Sequence, residues 1–120
     1  MPLERHKIDD FTRGWFVGNF SPTLIASDAM EVALQRYRAG DYERRHVHKI
    51  ATELTLIVSG LARMNGEEVH PGEIVTMKPG EATDFEAVVD TVAVAVKIPC
   101  VKGDKYVCAD APDAPPPAPR

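Results

Sequence analysis

Short segments in which apolar and polar residues alternate dominate the chain and predict β-strands. In residues 30–38, MEVALQRYR, three apolar side chains fall on one face of an extended segment, and Gln35 and Tyr37 fall on the other. Further runs rich in valine, isoleucine, leucine and threonine predict strands at residues 15–20, 53–59, 61–70, 73–77, 84–89 and 91–98. No window has a convincing apolar period of about 3.6 residues, so no helix is predicted.

Turn residues separate these predicted strands at short intervals. Asn65-Gly66 is typical of a tight hairpin, because both residues tolerate the positive φ angles of a type I′ turn. Pro71-Gly72 marks another reversal. Several short strands with regularly recurring turns indicate an all-β sandwich or barrel.

Composition and charge narrow the classes of function. The chain has 120 residues and a formal net charge of -4, with no block of Lys or Arg. We therefore expect no nucleic-acid partner and no attachment to a membrane surface. Residues 1–10 lack the apolar segment of a signal peptide, and the two cysteines supply no disulfide framework. A cytoplasmic location is the expectation.

Residues 109–120 differ in composition from the rest of the chain. They are rich in Pro and Ala and have no apolar periodicity. Such a segment buries too little apolar surface to offset the entropy of ordering, so we predict a disordered tail.

Two histidines and a glutamate form the most informative cluster. His46 and His48 are two residues apart, so they share a face if residues 46–50 are extended, and a reversal through residues 49–52 brings Glu53 beside them. Two imidazoles and a carboxylate suit Fe, Mn, Ni, Co or Zn, and three protein ligands leave positions free for substrate. A hydrogen-bonded cluster without metal is the alternative, and we favour a metal site.

This spacing resembles the first motif of the cupin superfamily. The match runs through Gly40, His46, His48, Glu53 and Gly60. The resemblance covers residues 28–100 and implies a double-stranded β-helix, which is a small jelly-roll barrel with its site inside. It divides the chain into an N-terminal strand or extension (1–27), the cupin barrel (28–108) and the tail (109–120). It also implies a homodimer that pairs through barrel edges or N-terminal strands.

The second cupin motif is matched only in part. Residues 72–85 resemble it, but Thr83 stands where the motif has a histidine. Thr83 is expected to contact substrate or a metal-bound water. Period-2 alternation places Phe85 on the same face as Thr83, and the resemblance implies that this face points inward. Asp84 then points outward, unless a bulge reverses the faces and makes Asp84 the fourth ligand. Gln35 and Tyr37 are candidate pocket residues, and a solvent-facing pair is equally compatible with the alternation.

Three functions follow from the resemblance and the cluster. The first is a metal-dependent enzyme acting on a small polar metabolite, with dioxygenase- or isomerase-type chemistry. The second is a non-catalytic module that binds a small molecule. The third is a metal-free sugar epimerase-like cupin that uses a histidine–carboxylate pair as acid and base. Catalytic residues are not assigned by the sequence.

Overall fold

Nearly all of the regular structure is β-strand in the computed structural model, which describes residues 2–115. Residues Ile8–Asp10 and Thr12–Gly14 form two short 3₁₀ turns. The strands in chain order are β1 (Trp15–Val17), β2 (Glu31–Tyr37), β3 (Tyr42–Val47), β4 (Thr52–Ser59), β5 (Ala62–Met64), β6 (Glu67–Val69), β7 (Ile74–Met77), β8 (Ala82–Ala87), β9 (Thr91–Ile98) and β10 (Tyr106–Val107). No helix in this part of the chain is long and apolar enough to cross a membrane.

The strands form two five-stranded sheets with antiparallel pairing. One has the order β1-β2-β9-β4-β7, and the other has the order β10-β3-β8-β5-β6. Asn65 and Gly66 take φ angles of 50° and 80° in the β5–β6 hairpin, as the turn chemistry predicts. The all-β prediction is therefore confirmed.

The inner faces of the two sheets are apolar at one end and polar at the other. The apolar end is a cluster of buried residues from both sheets: Ile57, Ala62, Met64, Val69, Phe85, Ala87 and Ala93. Toward the other end of the same faces, Glu31, Lys97 and Glu53 are aligned across β2, β9 and β4. Small residues, Ala33 and Ala95, occupy the row between these ends. Buried apolar side chains fill one end of the barrel, and the polar row at the other end lines a cavity.

A β-bulge in β3 changes which side chains enter the barrel. Glu43 pairs with Phe85 and His46 pairs with Thr83, so two residues of β3, Arg44 and Arg45, lie opposite the single residue Asp84 of β8. The extra residue, at Arg44–Arg45, places Glu43 and His46 on the same face. Strict alternation along the sequence puts those two side chains on opposite faces.

Two details differ from the sequence-based expectations. The segment expected to be extended over residues 46–50 is a strand only to Val47, and His48 follows it directly. β10 and residues 42–45 of β3 were not predicted as strand. β10 has only two residues, and the bulge breaks the alternation in β3.

The tail and the dimer stay predictions. Within residues 109–115 the carbonyl oxygen of Ala111 accepts a hydrogen bond from Arg44 Nη2 at 2.9 Å. Residues 116–120 of the predicted disordered tail lie outside the described residues. β1, which belongs to the N-terminal segment expected to aid dimerisation, pairs with β2 of its own chain and forms the edge of its sheet.

Candidate metal centre

His46, His48 and Glu53 lie together at the polar end of the barrel. Each offers one ligand atom, and these atoms are within 4.8 Å of one another. That spread is comparable with twice a metal–nitrogen bond of about 2.0–2.1 Å. Both histidines are buried, and Glu53 is half-buried. The structure thus brings together all three ligands proposed from the sequence.

Backbone carbonyl groups orient both imidazole rings. The Nδ1 of His46 donates to the carbonyl oxygen of Arg44 at 2.8 Å, and the Nδ1 of His48 donates to that of Asp104. Each ring therefore keeps its Nε2 for another partner. A backbone acceptor on the second nitrogen is the usual arrangement of metal-binding histidines, because it fixes both tautomer and ring orientation. The donor set fits a divalent transition metal.

The three groups influence one another's protonation. Burial lowers the pKa of His46 and favours the neutral imidazole. The hydrogen bond from Nε2 of His48 to Glu53, at 2.9 Å, raises the pKa of His48 although burial opposes it. Burial acts to raise the pKa of Glu53, but the His48 hydrogen bond and the charge of Lys97 outweigh it, so that pKa is lowered. Without metal, His48 and Glu53 form an ion pair whenever His48 is protonated.

In chelator-treated protein, this ion pair is expected to raise the free energy of unfolding most between about pH 4.5 and 6.5. These limits are the ordinary pKa values of Glu and His. The raised pKa of His48 contributes stability that is complete below 6.5 and is lost as the pH rises through the folded value. The lowered pKa of Glu53 contributes stability present above 4.5 that is lost as the pH falls. Urea unfolding of wild type and Glu53→Gln should differ most inside this window.

The matched control is Glu68→Gln, in the pair that Glu68 forms with His70 at 3.4 Å. Both of its side chains are more than half exposed, so this change should alter the free energy of unfolding by less than about 0.5 kcal/mol. A difference between wild type and Glu53→Gln that is constant from pH 4 to pH 8 would contradict the ion pair.

Asp104 holds the loop that carries His48. Its carboxylate accepts hydrogen bonds from the backbone nitrogens of Lys49, Ile50 and Ala51 at 2.8, 3.1 and 2.9 Å. Burial acts to raise the pKa of Asp104, but these donors outweigh it and lower that pKa. The backbone carbonyl group of the same residue orients His48, so Asp104 fixes the reversal through its side chain and the ring through its backbone. The sequence motif gave no signal for this residue, because Asp104 lies 56 positions beyond His48.

A cavity of about 400 Å³ opens onto the cluster. His46, Glu53, Gln35 and Glu43 are among its lining residues. Sequence reasoning missed Glu43, because only the bulge turns it inward. The hydroxyl group of Tyr37 lies between Gln35 Oε1 and Glu43 Oε1, 3.3 Å from the latter. Burial raises the pKa of Tyr37 well above its ordinary range, so the hydroxyl keeps its proton and donates.

The other sequence candidates divide between the two faces of β8. Thr83 and Phe85 are buried and face the cluster with Gln35 and Tyr37, and the Thr83 hydroxyl donates to the carbonyl oxygen of Asp84 at 2.9 Å. Asp84 accepts instead from the backbone nitrogen of Asn65 at 2.7 Å. No bulge in β8 reverses the faces, because His46↔Thr83 pairing continues in register, so Asp84 is not brought to the cluster as a fourth ligand.

Lys97 lines the same cavity, although exposure is the usual state of a lysine. Its side chain is only 18% exposed. The sequence of β9 already indicates that Lys97 points inward. Alternation places it on the same face as three residues that are buried, namely Thr91, Ala93 and Ala95. That face is the inner one.

Comparison with known proteins gives matches of structure rather than of sequence. No protein-family model matches the chain, and no curated protein does. A protein with a double-stranded β-helix domain from Klebsiella pneumoniae is similar in structure, with 19% identity and a TM-score of 0.68 over 90% of this chain and 97% of that one.

Two further structures are similar over a smaller part of the chain. A sugar phosphate isomerase from a cupin superfamily, from Silicibacter pomeroyi, has 18% identity and a TM-score of 0.54 over 58% of this chain and 50% of that one. A predicted oxalate decarboxylase from Thermotoga maritima has 23% identity and a TM-score of 0.53 over 60% and 68%. These likenesses show the fold: the chain adopts the double-stranded β-helix of cupin proteins.

Proposed function

We propose that this protein is a metal-dependent enzyme that acts on a small polar metabolite, with His46, His48 and Glu53 as the metal ligands. The observation that carries the proposal is the arrangement of the two imidazoles, whose Nδ1 atoms are held by backbone carbonyls beside one carboxylate. The metal is Fe, Mn, Ni, Co or Zn, and the reaction is of dioxygenase or isomerase type.

The bound metal supplies Lewis acidity to a substrate oxygen. The chain's own residues do the remaining work in this proposal. Burial of His46 keeps its ring neutral and ready to bind metal. Glu43 faces the same cavity with Tyr37 as its hydrogen-bond donor, so Glu43 is the group placed to take a proton from substrate or return it.

The names of two structural neighbours support an enzyme of this kind. One is named for a sugar phosphate and the other for oxalate, and both are small polar compounds. Both are less than 25% identical to this chain, so they support the class of compound and not a particular reaction.

Elemental analysis of the purified, untagged protein tests the metal site. We expect about one transition-metal ion per chain in the wild type and a loss of more than about 90% in His46→Ala/His48→Ala, because a single carboxylate binds these ions weakly. Circular dichroism of the variant should show that the fold is kept. Wild-type protein that holds no metal after reconstitution with each of the five ions would overturn the proposal.

A metal-free epimerase-like enzyme is the second candidate. The direct hydrogen bond between His48 and Glu53, at 2.9 Å, favours it because such a pair can act as acid and base without an ion. Turnover that survives exhaustive chelation would identify this function. Turnover that needs both Fe and oxygen would identify a dioxygenase.

A further inference from the structure

One row of side chains on the inner face of the β1-β2-β9-β4-β7 sheet alternates in charge. Glu31 pairs with Lys97 in the register of β2 and β9, and Lys97 pairs with Glu53 in the register of β9 and β4. Directly opposite residues on one face of a sheet have Cβ atoms about 4.5–5.5 Å apart. Lys97 is therefore the immediate neighbour of a proposed metal ligand, and it extends into the cavity rather than into solvent.

The position of the Lys97 ammonium group is defined by two contacts. Its Nζ is 3.6 Å from Glu31 Oε1 and 5.1 Å from the centre of the Trp15 ring. Both side chains of the ion pair are less than 20% exposed, so the charge is largely removed from water. A separation of 3.6 Å is too long for a strong charge-assisted hydrogen bond, which spans about 2.7–2.9 Å. The ammonium group thus keeps capacity for a closer acceptor.

The positive and negative side-chain charges that line the cavity are equal in number only before a metal binds. Its lining contains three cationic and three carboxylate side chains, namely Arg13, Lys97, Lys105, Glu31, Glu43 and Glu53. A divalent ion at the cluster adds two positive charges and engages Glu53. The loaded cavity is then net positive, and a substrate that carries negative charge compensates it.

We propose that the cavity is a binding site for a small organic anion, in which Lys97 receives the carboxylate or phosphate group beside the metal. Arg13 and Lys105 line the same cavity and attract the anion toward it. The inference rests on the proposed function, since the metal supplies the excess of positive charge. A volume of about 400 Å³ limits the ligand to a small metabolite.

NMR titration of Zn²⁺-loaded protein tests the proposal with two pairs of probes. Lactate is compared with neutral lactamide, and glycerol 3-phosphate with glycerol, so that the two arms separate a carboxylate from a phosphate ligand. At least one anion should bind about tenfold more tightly than its neutral partner, with chemical-shift changes in β9. Zn²⁺ is chosen because it is diamagnetic, and metal content is measured in every sample.

Four variants separate the role of Lys97 from a structural one. Lys97→Met should reduce anion affinity about tenfold and leave the affinity for the neutral probe unchanged, whereas Lys97→Arg should retain the preference for anions. Glu31→Gln should strengthen anion binding severalfold, because it removes the competing carboxylate. Lys78→Met, at an exposed lysine outside the cavity, should change nothing.

Equal affinity for anion and neutral probe in metal-loaded protein would overturn the anion site and leave the metal centre standing. An absence of binding by both anions, or an unchanged preference in Lys97→Met, would do the same. Protein that holds no metal after reconstitution would instead overturn the proposed function together with this inference.

Discussion

Asp104→Asn is expected to lower the free energy of unfolding by about 3 kcal/mol or more. The buried carboxylate accepts hydrogen bonds from three successive backbone nitrogens, and hydrogen bonds to a charged group contribute about 1.5–3 kcal/mol each without being additive. An asparagine keeps one acceptor oxygen and turns an N–H group toward the remaining donors. Urea unfolding at neutral pH measures the loss.

The same substitution should weaken metal binding, because the carboxylate ties Asp104 to the 49–51 backbone and so holds its own carbonyl group against the His48 ring. A loss of about tenfold or more in metal affinity is expected, as for other changes behind a ligand. Asp110→Asn is the control: this residue is exposed in a nearby turn, and its change should alter stability by less than about 0.5 kcal/mol. Wild-type stability in Asp104→Asn would show that the 49–51 loop does not depend on the carboxylate.

Gly60→Ala is expected to be far more damaging than Gly40→Ala, although both glycines belong to the sequence motif. Their φ angles are +92° and +93°, so a Cβ atom carries the same backbone strain of about 1–2 kcal/mol at either position. At Gly60 the Cβ atom would also lie 2.3 Å from the carbonyl oxygen of Asp90, whereas at Gly40 nothing lies within 4 Å. We expect a total loss of about 3 kcal/mol or more at Gly60.

Chemical denaturation gives the free energy of unfolding of both variants side by side. Their comparison separates the steric clash with Asp90 from the backbone strain that the two positions share. The difference between them is the quantity of interest, because the backbone conformation is matched. Equal losses of stability would mean that the turn at Gly60 moves away from Asp90 without cost.

The all-β class and the two faces of β8 and β9 were readable from the sequence, because side chains alternate with a period of two. Alternation in β9 placed Lys97 with Ala93 and Ala95, and alternation in β8 placed Thr83 with Phe85 and Asp84 opposite them. The structure agrees with both patterns. At Lys97 the position in β9 outweighs the general preference of lysine for solvent, and the side chain lines the cavity.

Local spacing also determined that the two histidines and the glutamate meet, since one strand end and one reversal connect them. Tertiary structure alone decided what surrounds them. Glu43 enters the cavity because β3 carries an extra residue against β8, and a register shift depends on the partner strand. Asp104 reaches the 49–51 backbone from a distant loop, and Glu31 meets Lys97 through pairing of β2 with β9. Contacts between segments far apart in the chain leave no local period, so only the folded barrel reveals them.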